Sequence, residues 1–198
     1  MIYNMTELEK MTAGELYNPA DPELTRIRHK AHDLCFEYNK LSELHEEERE
    51  RIMSELLPNF DPWQVYFQGP IFFDYGINIH IGKNFYANFN TTILDVCPVI
   101  IGDNVMLGTG VSLVTPLHPL NHRERNPRTL PDGSMIVLEY GKPIIIEDNC
   151  WLASNVTVTA GVKIGAGSVI GAGSVVTRDI PPNSFAAGVP CKVIRQIV

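Results

Sequence analysis

Six aliphatic residues recur at strict six-residue steps through the C-terminal third of the chain: Ile146, Leu152, Val158, Ile164, Ile170 and Val176. Between the fourth and the sixth the text runs Ile164-Gly165-Ala166-Gly167-Ser168-Val169 and then Ile170-Gly171-Ala172-Gly173-Ser174-Val175. A helix repeats its buried face about every 3.6 residues and a half-buried strand about every 2, and neither produces a six-residue step. A parallel β-helix does, with one short strand and one turn per step and three steps per coil. Each aliphatic side chain then points inward and stacks on the residue one coil away, while glycine at the next position permits a tight corner.

The same register is readable upstream. It runs through Ile81-Gly82, Ala87 and Ile93, slips by two residues, and resumes at Ile101-Gly102, Leu107-Gly108 and Leu113. Ile146 is the next member. The stretch between, about 115–141, carries Pro116, Pro119, Pro127 and Pro131, several charges and little periodicity. It cannot continue the coil, so we expect it to leave the prism as a loop excursion, and long ordered loops on a rigid scaffold are usually functional.

Upstream of residue 60 the pattern is helical. Asp21-Pro22-Glu23-Leu24 reads as an N-cap followed by proline at the first helical position, and Ile27, Ala31, Leu34 and Tyr38 then fall on one helix face. A second helix is predicted from about Ser42 to Leu57, ending before Pro58, with Glu46-Glu47-Glu48-Arg49-Glu50-Arg51 as its solvated face. The chain thus divides into a helical segment, 1–59, and a β-helix, 60–198, with the excursion and a C-terminal tail.

Composition narrows the partners. A formal charge of −7 provides no basic field for nucleic acid. Lys163, Arg178, Lys192 and Arg195 nevertheless stand against Asp179 alone from residue 163 onward. The opening Met1–Lys10 stretch shows no basic n-region and no apolar h-region, so no signal peptide is expected; no apolar run is long enough for a membrane span. Cys35, Cys97, Cys150 and Cys191 lie far apart without a CxxC pair, which points to free buried thiols in a reducing, cytoplasmic setting.

Three blocks carry a family resemblance. Asn78-Ile79-His80-Ile81-Gly82-Lys83-Asn84-Phe85-Tyr86-Ala87-Asn88-Phe89-Asn90, His118-Pro119-Leu120 and the tail Ala187-Gly188-Val189-Pro190-Cys191-Lys192-Val193-Ile194-Arg195 resemble the hexapeptide-repeat sugar O-acetyltransferases. These are the maltose and galactoside enzymes, with the nodulation acetyltransferase-like subfamily. Met11-Thr12-Ala13-Gly14-Glu15-Leu16-Tyr17 with Asp21-Pro22-Glu23-Leu24 is similar to the helical segment preceding the β-helix in that group. The resemblance implies a mainly β fold, a left-handed parallel β-helix, packed as a homotrimer with sites between subunits. Such cyclic closure covers flat apolar faces without open-ended assembly. It also implies acetyl-coenzyme A as donor and a sugar hydroxyl as acceptor, without a metal.

Acetyl transfer from a thioester to a hydroxyl needs a base for the hydroxyl proton and donors for the oxyanion; histidine suits the base role near neutral pH. Of the six histidines, His29, His32 and His45 belong to the charged helical segment and read as surface residues, His80 as a structural hydrogen-bonding residue, and His122 as a loop or rim residue. His118 falls at the root of the excursion and matches the family's general base. By resemblance, Asp74, Tyr86, Asn88, Asp95 and Glu139 are acceptor-side residues, joined from the helical segment by Asp21 and Arg28. Asn90 reads as a turn asparagine. The donor side comprises Trp151, Ser154, Ala172, Thr177, Arg178, Lys192 and Arg195, with the backbone N–H near Ser154 as an oxyanion donor. Arg178, Lys192 and Arg195 would meet the coenzyme's phosphates, or else solvate the tail.

The chain departs from the family pattern in three places. Ile146-Glu147-Asp148 carries glutamate in place of glycine, Leu152-Ala153-Ser154 replaces aliphatic-glycine-glycine, and 123–135 is partly inserted relative to galactoside enzymes. Other readings are an acetyltransferase for a different acceptor such as an antibiotic hydroxyl, and a non-catalytic β-helix scaffold. A zinc carbonic anhydrase on a similar coil would need three converging histidines. His118 and His122 have suitable spacing, but His80 is the only other coil histidine.

Overall fold

A computed structural model describes residues 5–198; of the opening stretch, residues 1–4 lie outside the described residues. Three helices precede the coil: α1 (Glu7–Ala13), α2 (Pro22–Tyr38) and α3 (Glu46–Leu56). Thr6 and Glu9 close a reciprocal capping box on α1, and the Asp21 carboxylate accepts from Glu23 N and Leu24 N at the head of α2. The third helix starts at Glu46, later than the Ser42 expected, because Ser42 Oγ pairs with the His45 ring at 2.9 Å in a turn of its own. No helix among the described residues is long and apolar enough to cross a membrane.

The rest winds as a three-faced parallel β-helix. The first face holds Val65–Phe67, Phe85–Ala87, Met106–Leu107, Trp151–Leu152, Val169–Ile170 and Ser184–Ala187, with Lys192–Gln196 added antiparallel at its end. The second holds Ile71–Phe73, Thr91–Leu94, Ser112–Val114, Thr157–Thr159 and Val175–Val176; the third holds Ile79–Ile81, Val99–Ile101, Ile144–Ile146 and Lys163–Ile164. The ladder resolves into three columns. Ile146 registers with Ile164, Leu152 with Ile170 and Val158 with Val176, and all six are fully buried. Burying each such side chain stabilises the fold by roughly 1.5–3 kcal/mol.

Register pairs explain the two-residue slip. Phe73 pairs with Ile93, Ile93 with Leu113, and Ile81 with Ile101, so the early coils are two residues longer than the later ones, where Ile146 pairs with Ile164. The extra residues sit at the corner between the second and third faces, at Asp74-Tyr75-Gly76 and again at Asp95-Val96-Cys97. One coil further, the same corner opens into the excursion. Departures from the six-residue step therefore stack on one edge.

The excursion leaves as Pro116–Leu117 and returns antiparallel as Tyr140–Gly141. Between them lie a short helix, α4 (His122–Arg125), and a hairpin of Arg128–Thr129 with Met135–Ile136. The helical segment closes the start of the prism, where the Asn39 side chain donates to Ile71 O at 2.8 Å and accepts from Ile71 N at 2.7 Å. Its other end lies along the interrupted edge, burying Met11, Tyr17 and Leu24 against Tyr75 and Val96.

Two sequence readings need correction here. His80 points outward beside Ile100 and its side chain makes no hydrogen bond among the described residues, because alternation along its strand puts it on the outer surface. Arg49, assigned to a solvated helix face, is 6% exposed, since it lies on the side of α3 that meets the first coil.

At the Glu147 corner the structure supplies a compensation. Elsewhere on this edge an aspartate one coil on caps the turn amide: Asp103 Oδ1 accepts from Lys83 N at 2.7 Å, and Asp148 Oδ1 from Asp103 N at 2.8 Å. Glycine is needed beneath such an aspartate, as a Cβ at Gly102 would run into Asp148. Above Glu147 the equivalent residue is Ala166, which has no carboxylate to clash. The Glu147 side chain fills that space, accepting from Ala166 N at 3.0 Å and pairing with Lys163 Nζ at 2.6 Å.

Candidate functional site

The interrupted edge is built from four pieces. Tyr17-Asn18-Pro19 follows α1, Arg28 and His32 project from α2, Asp74-Tyr75 forms the enlarged corner, and Val137 and Glu139 belong to the returning excursion. Tyr17 and Glu139 exchange backbone hydrogen bonds at 2.9 and 3.1 Å, and Tyr17 Oη donates to Glu139 Oε2 at 3.0 Å. Arg28 Nη1 donates to Pro19 O at 3.1 Å and to Tyr75 Oη at 3.0 Å. His32 Nε2 stands 3.6 Å from Asp74 Oδ1. Apart from His32, which stands behind Asp74, these residues line a cleft of about 490 Å³.

Its electrostatics follow from partial burial. Asp74 is held above the usual carboxylate range by desolvation, with His32 and Arg28 pulling it down and Glu139 pushing it up. Burial, then the Glu139 charge, pushes the Tyr17 hydroxyl up, so Tyr17 stays a hydrogen-bond donor that fixes Glu139. His118 is exposed at the excursion's root, and Pro119 beside it is buried, which anchors the chain at that point.

Asp95 differs from the role expected for it. It is fully buried. Its Oδ1 accepts from Tyr75 N at 2.9 Å and Gly76 N at 3.1 Å, and its Oδ2 accepts from Asn78 N at 3.1 Å. Burial pushes its carboxyl up to about 7, against the pull of those three amides. Asp95 cannot reach an acceptor; it shapes the corner that presents Asp74. Asp21 is partly engaged as the cap of α2 and is not among the residues lining the cleft, whereas Arg28, Asp74 and Glu139 are. Sequence reasoning missed Tyr17, Asn18 and His32. Tyr17 lay within the N-terminal block that carried the resemblance; His32, surface-exposed as expected, gave no signal of its approach to Asp74.

The remaining residues occupy other parts of the prism. Tyr86 and Trp151 point outward from the first face, in one register column with Tyr66, Met106, Val169 and Phe185. Asn88, Ser154 and Ala172 lie at the corner between the first and second faces. There the backbone N–H groups of Thr109, Ser154 and Ala172 have no acceptor among the described residues. A Cβ at Gly108 would come within 2.6 Å of Ser154 N, so glycine leaves that amide uncovered. Thr177 and Arg178 return to the interrupted edge. Lys192 and Arg195 lie on the antiparallel tail strand, with the Arg195 guanidinium 5.6 Å from the Phe185 ring. Arg178 and the two tail cations are exposed on different sides of the last coil. Among the described residues no group of three or more His, Cys, Asp or Glu side chains could hold a metal ion.

A three-faced coil of six-residue steps with an interrupted, histidine-bearing edge defines a hexapeptide-repeat acyltransferase, and residues 143–178 match the bacterial transferase hexapeptide motif of six repeats. The maltose acetyltransferase hexapeptide capping motif matches residues 10–61. The chain is 43% identical over 194 residues to a galactoside O-acetyltransferase of Escherichia coli K12, covering 98% of this chain and 91% of that protein. A maltose O-acetyltransferase structure from Clostridium difficile 630 superposes with a TM-score of 0.89 at 43% identity, covering 98% of each chain. A galactoside acetyltransferase in complex with coenzyme A gives a TM-score of 0.83 at 41% identity, covering 98% of this chain and 92% of that one. The chain belongs to this family, the acetyl-coenzyme A-dependent hexapeptide-repeat O-acetyltransferases.

Proposed function

We propose that the protein acetylates a hydroxyl of a sugar, of the maltose, glucose or galactoside kind, with His118 as general base. The observation that carries the reading is the stacking of every break in the six-residue step on one edge. There Asp74, Arg28 and Glu139 line a cleft, and His118 stands exposed at the root of the excursion. Carboxylates and a guanidinium suit sugar hydroxyls, which donate and accept hydrogen bonds. As the hydroxyl oxygen attacks the thioester carbonyl, the His118 imidazole takes its proton. The tetrahedral oxyanion is met by an N–H donor such as that of Ser154. Collapse breaks the carbon–sulfur bond, and the imidazolium returns its proton to the departing thiolate.

The amides of Thr109, Ser154 and Ala172 form a line of unused donors along which an extended, amide-bearing pantetheine arm can lie. They occupy a different corner from His118, and Tyr86 lies on the face across the prism from the interrupted edge. One chain therefore divides base and amide line between edges, which favours a homotrimer with sites shared between neighbours. A sugar acceptor is supported by the capping-motif match over 10–61. His118→Ala should lower turnover about 100-fold or more; a loss of only a few-fold defeats the assignment. A sedimenting monomer that still turns over would defeat the shared site.

A further inference from the structure

Arg49 lies within a glutamate-rich run yet is buried, and no ion pair within 4 Å among the described residues includes it. A buried charge is ordinarily paired, because desolvating it is costly. Here Arg49 Nη2 donates to Tyr38 Oη at 2.6 Å, Phe67 O at 2.7 Å and Gln68 O at 3.1 Å. Its guanidinium carbon stands 4.6 Å from the Tyr38 ring centroid and 5.6 Å from that of Tyr66. Tyr66 in turn stacks on Tyr86, with centroids 6.1 Å apart and ring planes 5° from parallel. Tyr38, Arg49, Tyr66 and Tyr86 thus form a continuous stack from α2 and α3 to the outer face of the coil.

We propose that Arg49 and Tyr66 are positioning residues for the acceptor side, acting by fixing the ring plane of Tyr86. The inference rests on the reading that Tyr86 meets the acceptor. Tyr66 is 42% exposed and Tyr86 is half-buried, so each ring on its own would be free to change rotamer. A guanidinium held by two backbone carbonyls supplies a fixed plane against which Tyr66 packs, and Tyr66 passes that orientation to Tyr86. Cation–ring and ring–ring contacts of this kind hold a ring plane beyond what its buried area alone would do.

The test is steady-state kinetics on the full chain with acetyl-coenzyme A and maltose, glucose or a galactoside, whichever turns over fastest. Tyr66→Leu keeps apolar bulk and removes the ring; Tyr66→Phe keeps the ring. Tyr66→Leu should raise the acceptor KM about 2- to 10-fold, the factor that one such contact corresponds to. The acetyl-coenzyme A KM and kcat should be unchanged, and Tyr66→Phe should restore the wild-type value. Arg49→Met should reproduce the split, and if it fails to fold the Tyr66 pair still decides. Both KM values moving together, or an acceptor KM within twofold of wild type in Tyr66→Leu while Tyr86→Leu raises it, would overturn the inference. An unchanged acceptor KM in Tyr86→Leu would overturn the reading of Tyr86 itself, and the positioning role with it.

Discussion

At the corner after the third face, the turn amides of Lys83 and Asp103 are held by aspartates one coil on. At the corner after the first face, those of Thr109, Ser154 and Ala172 are held by nothing among the described residues. The two corners have similar turns: Asn84, Asn104 and Asn149 on one, and Asn90, Gly110, Asn155 and Gly173 on the other, all take positive φ. An asparagine ladder reinforces the first, with Asn84 Nδ2 donating to Asn104 Oδ1 at 3.0 Å and Asn104 Nδ2 to Asn149 Oδ1 at 3.1 Å. A solenoid therefore separates stability from ligand binding by corner rather than by domain. One edge caps its turn amides at Lys83 and Asp103 from the next coil, a second leaves donors unused, and a third gives up the repeat to make room for side chains.

That contrast can be broken in several ways, of which the largest acts on the columns. Leu152→Ala should destabilise the protein by about 2–5 kcal/mol, as for other buried leucines, and denaturant unfolding would measure it. A loss below about 1 kcal/mol would mean that the columns are not the source of stability. His118→Ala should do the reverse, losing turnover while leaving the unfolding midpoint nearly unchanged, since an exposed residue typically contributes less than about 0.5 kcal/mol. At the self-satisfied corner, Gly102→Ala should cost about 1–3 kcal/mol through overpacking against Asp148, with activity retained once folded; a neutral effect would show that this corner has slack.

A pH dependence separates Asp95 from its exposed neighbours. Its folded-state pKa, about 7, lies above the unfolded value of about 3.9, so the folded protein holds this proton more tightly. The stabilisation is fully present below about pH 4 and is lost as pH rises through about 7. Asp95→Asn, whatever its overall cost, should flatten stability across that window relative to wild type. Parallel pH profiles from urea titrations at several pH values would contradict the assignment.

The columns were legible because a six-residue period has no competing explanation, and the slip between Ile93 and Ile101 already marked the edge that would prove irregular. His118 and the excursion were found where the repeat fails. What the sequence hid was decided by contacts across coils. Asp95 looks like a site residue in isolation; only the amides of Tyr75 and Gly76, some twenty positions earlier, reveal that it is internal. Arg49 looked solvated because its neighbours in sequence are glutamates, whereas its neighbours in space are two tyrosines and two carbonyl oxygens. His32 became relevant only when α2 was laid along the edge beside Asp74.

The Glu147 corner has a bearing on how such coils change over time. Glutamate is tolerated there because Ala166, one coil on, stands where an aspartate would otherwise collide. Neither exchange is neutral alone: aspartate above glutamate clashes, and alanine above glycine loses the carboxylate that accepts from Ala166 N. Corner residues in this solenoid should therefore be inherited as vertical pairs, and grafting one coil onto another would succeed or fail on the match within pairs such as Glu147 and Ala166, 19 residues apart.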